Sequence, residues 1–162
     1  MQLLGSGAIV NEAIRARAML AERYDVHADV WSVTSYKALH RDALEVERWN
    51  RLHPGHPRRT PYFTQQIASR RGPVVAASDY VRAMPESVAR FSPTRMTTLG
   101  TDGFGRSDGR KALRDFFEVD ARHITLAALA TLADDGVVEA RLVEQALHDL
   151  EIDPERVSPI RR

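Results

Sequence analysis

Apolar positions along the chain fall into short unbroken runs separated by stretches of helical spacing. Leu3 and Leu4 lead into "GSG". "DVWSV" (29–33), "GPVVAASDY" (72–80) and "RMTTLG" (95–100) are the other compact runs, each closed by polar residues or glycine. Runs of this length bounded by turn residues predict buried strands. Between them the period changes. Residues 8–24 predict a helix with Val10, Ala13, Ile14, Ala18 and Ala21 on one face and arginines and glutamates elsewhere. Residues 36–49 predict a second helix and 62–71 a short third. Residues 81–91 predict a fourth, with Pro85 marking a break or a start. "HPGHPRRTP" (53–61) is a loop, because three prolines and a glycine interrupt any regular element. Towards the end, 110–117 reads as helix. Asp120 is the expected N-cap of a long apolar helix through Ala133, with Gly136 as its stop. Residues 138–150 carry a stripe of Val138, Leu142, Val143, Ala146, Leu147 and Leu150. The rest, 151–162, is polar.

Strands alternating with helices imply an α/β fold: a three-layer α/β/α sandwich around a mostly parallel sheet. The strands lack polar alternation, which implies covered faces. In a parallel sheet the loops after the strands share one rim. Ser6, Thr34, Ser35, Ser78, Asp79 and residues 101–106 are therefore expected side by side. The expected division is one domain over 1–150 and a tail over 151–162, without repeats.

The totals narrow the classes. A chain of 162 residues fits one domain, and 43% apolar with 28% charged residues is an ordinary soluble balance. A net charge of +1 provides no general field for nucleic acid or an anionic membrane. Cysteine is absent, which excludes disulfides, thiolate nucleophiles and cysteine-type zinc sites. No run reaches the roughly 18 apolar residues of a membrane span. The first residues lack the basic start and cleavage pattern of a signal peptide. "QLLGSG" opens at once on a buried strand, an abrupt beginning that leads us to expect a piece of a longer protein.

Candidate chemistry is sparse. "GSGAIV" (5–10) resembles part of a dinucleotide fingerprint, but Val10 replaces the third glycine. No acid follows the second strand to hold a ribose. "LGTDGFGRSDGR" (99–110) invites comparison with a phosphate cradle, yet it fits neither GxGxxG nor GxxxxGK[ST]. Lys111 lies beyond the last glycine, and Asp102 and Asp108 would repel an anion. A structural loop with Ser107 or Asp108 capping the next helix is the simpler expectation. His53 and His56 have no further ligand at metal spacing, and neither HExxH nor GxSxG occurs. Asp79 and Asp102 are expected to approach each other along the rim, without a histidine placed to join them. Trp31 and Trp49 suit burial in a core or an interface. Arg58 with Arg59 and Arg70 with Arg71 read as solvated pairs. No catalytic constellation emerges from the residues, and neither a cofactor-binding nor a metal-ligating residue is assigned. Phe104 is the odd feature, a large ring between two glycines that needs a surface to cover it.

"QLLGSGAIVNEA", "DVWSVTSYKALHRDALEVERWNRLHP", "PYFTQQI", "VVAASDYVRAMPESVARF" and "LGTDGFGRSDGRKALRDFFEVD" occur in this order. Together they resemble the C-terminal domain of the homodimeric pyruvate dehydrogenase decarboxylating components, within the transketolase-like thiamine-diphosphate enzymes. "ERWN" and "GTDGFGRSD" carry most of the specificity. The resemblance implies a transketolase C-terminal-like fold and a parent enzyme that decarboxylates pyruvate and acetylates lipoyl groups. It implies thiamine diphosphate and magnesium on two preceding domains, whose GDG…N motif has no match here. An antiparallel strand that the family places ahead of "QLLGSG" has no match either. The implied role of the domain is support of the dimer and the complex. Its partners would be its own subunit pair, the other parent domains and the dihydrolipoyl acetyltransferase component, with neither nucleic acid nor membrane. Asp102, Phe104, Arg106 and Asp108 are the interface candidates, and a bacterial cytoplasmic location is implied. The competing expectation is a free-standing α/β ligand- or nucleotide-binding module.

Overall fold

A computed structural model describes residues 1–161. Four strands, β1 (Gln2–Gly5), β2 (Asp29–Ser32), β3 (Val74–Ala77) and β4 (Met96–Leu99), form a sheet in the order β2-β1-β3-β4. All three pairings are parallel, with Gln2 opposite both Asp29 and Val74, and Val74 opposite Met96. The helices are α1 (Val10–Tyr24), α2 (Tyr36–Leu52), α3 (Tyr62–Ala68), α4 (Ala83–Ala89), α5 (Arg110–Phe116), α6 (Ala121–Asp134) and α7 (Ala140–Asp149).

Side-chain alternation along the two central strands builds two cores. Leu3, Val75 and Ala77 pack into one layer with α1, α6 and α7. Leu4, Val74 and Ala76 pack into the other with Tyr36, Phe63, Ile67 and Val88 of α2, α3 and α4. This is the expected three-layer α/β/α arrangement. The covered-strand expectation holds for β1 and β3, whose residues are all buried. It fails for β2 and β4, which are partly exposed. These are the edges of the sheet, with a neighbour on one side only.

The predicted face of α1 is also corrected. Ala13 is buried, but Ile14 is 44% exposed and Ala18 and Ala21 face solvent. The inward face is Glu12, Ala13, Ala16, Leu20 and Tyr24. Alanine on both sides leaves the stripe ambiguous by pattern, and the large Leu20 and Tyr24 decide it by their buried area. A 3₁₀ turn at Gly7–Ile9 precedes α1, so the α-helix starts two residues later than expected. Gly5 shows why the entry is tight. A Cβ there would lie 2.7 Å from the Val10 Cα.

Local signals elsewhere act as read. Asp120 caps α6 by accepting from the His123 N–H at 3.0 Å. Gly136 (φ +70°) ends that helix, with its N–H on the Ala133 carbonyl and that of Val137 on Leu132. Pro85 sits in the first turn of α4, where a missing N–H costs nothing. The polar segment after α7 folds back. Ile152 joins the first core, and Pro159, inside a 3₁₀ turn at Pro159–Arg161, is buried.

Candidate functional site

The strand-end loops do share one rim. Ser6 donates its hydroxyl to Ser78 at 2.8 Å, joining the ends of β1 and β3. The Thr101 N–H reaches the Tyr80 carbonyl at 2.9 Å, and its hydroxyl reaches that of Asp79 at 3.0 Å. From β1 the chain leaves for β2, on one side. β3 lies on the other side, so the β1–β3 gap is the topological switch point of the sheet. A cleft of about 540 Å³ opens above it, lined among others by Ile9, Asp79, Arg106, Arg110, Arg114 and Phe117. A smaller, mostly apolar pocket of about 250 Å³ lies beyond β2, between Trp31, Leu39 and Phe63.

The glycine loop places its four candidate residues differently. Asp102 turns inward, accepting from the Arg82 N–H at 2.9 Å and lying 3.3 Å from its Nε. It does not meet Asp79 in the cleft; its charge serves the start of α4. Phe104 is 82% exposed. Arg106 lies with its guanidinium carbon 4.3 Å from the centre of the Phe116 ring. Among the described residues, Asp108 accepts only from the adjacent Gly109 N–H, at 2.6 Å. The expected cap of α5 by Ser107 or Asp108 is corrected: Gly109 is the capping residue and α5 has no side-chain cap. Gly103 explains the shape of the loop. Its φ is +100°, and a Cβ there would run into the Pro159 carbonyl of the returning tail. Tyr80, Val81 and Ile160 are also more than half exposed.

Two polar centres escaped the sequence reading. Glu12 is 4% exposed. It accepts from Arg15 at 2.8 Å, from Arg114 at 2.7 Å and from the Ala121 N–H at 3.1 Å, tying α1 to α5 and to the start of α6. The second centre surrounds Asp120. Arg122 reaches both Asp115 and Asp120, Arg156 reaches Asp115 at 3.0 Å, and the His123 Nδ1 lies 2.7 Å from Asp120. Burial raises the pKa of Asp120, but the His123 hydrogen bonds and the His123 and Arg122 charges outweigh it and hold the carboxyl at about 2. No sequence signal marked Glu12, because the face of α1 that carries it was set only by the fold.

Asp115, Asp120 and His123 form the one group of metal-ligand type found among the described residues. Its carboxylates are already engaged by arginines and by His123, so it reads as an ion-pair network. Half-buried His53 stacks on Trp49 at 4.5 Å, and exposed His56 meets both rings edge-on. Arg59 covers Trp49 at 3.8 Å.

Residues 1–120 match the family model described as the transketolase-like TK C-terminal domain. The chain belongs to that family. The transketolase-like domain is 48% identical over 161 residues to the pyruvate dehydrogenase E1 component of Pseudomonas aeruginosa, covering 99% of this chain and 18% of that protein. It is 44% identical over 160 residues to the E1 component of Escherichia coli K12, with 98% and 18% coverage. Against the E1 component of Mycolicibacterium smegmatis it is 45% identical over 152 residues, with 94% and 16% coverage. The chain thus spans less than a fifth of the length of these relatives. The carboxylates of the Asp115, Asp120 and His123 group are engaged by arginines and by His123. No helix among the described residues is long and apolar enough to cross a membrane.

Proposed function

We propose that this chain is the C-terminal, non-cofactor-holding domain of a bacterial pyruvate dehydrogenase decarboxylating component. That parent enzyme decarboxylates pyruvate on thiamine diphosphate with magnesium and acetylates the lipoyl groups of a dihydrolipoyl acetyltransferase in the cytoplasm. The observation that carries this reading is identity of 44–48% to E1 components over almost the whole chain. The domain itself serves assembly, between the subunits of a homodimer or between domains. Phe104 is the anchor, flanked by Arg106 and Asp108 and steadied from behind by Asp102. Its exposed ring supports this: left in water it forgoes roughly 1.5–3 kcal/mol of burial, which a docking surface would recover.

Two measurements test the reading. Phe104→Ala in the full-length enzyme weakens dimer or complex assembly in sedimentation, while in the 162-residue chain it changes unfolding stability by less than about 1 kcal/mol. A large loss of stability with assembly intact would make Phe104 a core residue. Supplied with thiamine diphosphate, magnesium and pyruvate, the chain alone reduces no dye above background. Turnover that a mutation in this chain abolishes would overturn the assignment.

A further inference from the structure

We propose that residues 153–161 act as a strap that sets the shape of the glycine loop and so controls how Phe104 is presented for docking. The strap rests on the assembly role proposed for Phe104 and adds its regulation.

The loop has little of its own to hold it. Residues 103–110 are all exposed, and no helix or strand spans 100–109. Gly103, Gly105 and Gly109 contribute no side chain, and glycine loses the most backbone freedom on ordering. One end is fixed by Thr101 on Tyr80 and Asp79, and by Asp102 on Arg82. Beyond Phe104, Arg106 lies against the Phe116 ring at 4.3 Å. Between these points the returning tail supplies the contact, at the residue directly before Phe104. Gly103 holds φ +100°, and a Cβ there would overlap the Pro159 carbonyl oxygen and lie 3.4 Å from the Ile160 Cα. Only a glycine lets the tail seat this closely.

The seat is narrow. Between Ile152 in the first core and buried Pro159, Arg156 is half-buried and the rest of the tail is exposed. Arg156 is tied to Asp115 at 3.0 Å, a partly exposed ion pair of the kind that adds little stability. Few contacts therefore hold the tail down, and its release is a local opening that leaves the sheet intact. The seat also joins three parts of the fold. Around a small cavity of about 60 Å³, Ser158 and Pro159 meet Gly100 after β4, Asp102 of the loop, and Glu118 between α5 and α6. Glu118 is held at φ +58°, a left-handed conformation that a non-glycine residue keeps where its surroundings fix it. Lifting the tail removes one wall from all three.

Two variants and two readouts test the strap. Gly103→Ala puts a methyl group against Pro159, and Arg156→Gln loosens the tail without touching the loop. In the 162-residue chain, nitrogen relaxation should show the backbone order parameter at Phe104 falling from about 0.85 towards 0.6 in both variants, with β1 and β3 unchanged. In the full-length enzyme, sedimentation should show both variants weakening assembly by about fivefold or more, in the same direction as Phe104→Ala. Unchanged order at Phe104 in both variants overturns the strap. Order lost across β1 and β3 as well overturns it too, because the tail would then be ordinary core. A loosened loop with wild-type assembly, in an enzyme that Phe104→Ala disrupts, overturns control by the tail and leaves the assembly role standing. Assembly untouched by Phe104→Ala overturns that role itself, and the strap's control of docking with it.

Discussion

Asp120 ends one loop, starts α6 and anchors two basic side chains, and its charge is what makes this possible. Its carboxyl lies at about 2 in the folded chain, below the ordinary 3.8. A carboxyl depressed by folding adds stability that is present above the unfolded value and lost as pH falls through the folded one. Urea unfolding should therefore lose about 2 kcal/mol from this group between pH 4 and pH 2. Asp120→Asn keeps a capping oxygen but removes the charge, so its stability should be lower at pH 6 and fall less over the same acid range. An unchanged acid profile would show that the network around Asp120 is not coupled to folding. The cap itself was legible, because an aspartate stands directly before an apolar helical run. Glu12 was not legible. An acid on a helix is expected in solvent, and only the convergence of Arg114 and the α6 N-terminus gives a buried one its partners.

At the scale of elements, capping and turn chemistry decide where helices stop, and backbone approach decides how they sit. Gly5 lets the start of α1 lie directly on the end of β1. Gly5→Ala forces a methyl against the Val10 backbone. It should cost about 1–3 kcal/mol, as overpacking does, measured as a lower urea midpoint with an unchanged denaturant slope. A neutral result would mean that the 3₁₀ turn at Gly7–Ile9 yields freely. The same element shows the limit of periodicity. Alanines at 13, 16, 18 and 21 fit a stripe on either side of α1, so the pattern did not choose between them. The sheet and α6 make the choice by burying Leu20 and Tyr24.

Across the whole molecule, the segment after α7 acts as a clasp. It adds Ile152 to the first core, ties Arg156 to Asp115, and presses Pro159 against the glycine loop at Gly103. Deleting residues 151–162 should lower stability by roughly 1.5–3 kcal/mol, the scale of one buried aliphatic side chain. Amide exchange should accelerate in residues 100–109 more than in β1 or β3. Equal protection of the loop in both proteins would show that it holds its shape without the tail. The polar composition of the segment hid this role, since its few apolar residues are spread singly and no period marks them.

Taken alone, the sequence determined the alternation of four strands with helices, the parallel sheet this demands, the cap at Asp120 and the stop at Gly136. It also brought the strand-end loops to one rim. Each follows from short-range causes: side-chain period, missing amide hydrogens, and backbone angles that glycine reaches at little cost. Only the tertiary structure decided which strands are edges, which face of α1 is inward, and that Glu12 is buried. It also decided that Asp102 turns to Arg82 while Arg106 and Arg110 face the cleft and Phe104 faces solvent. Those outcomes depend on groups far apart in the chain, such as Glu12 with Ala121 or Gly103 with Pro159. A charge or a ring has no fixed role until folding supplies, or withholds, its partner.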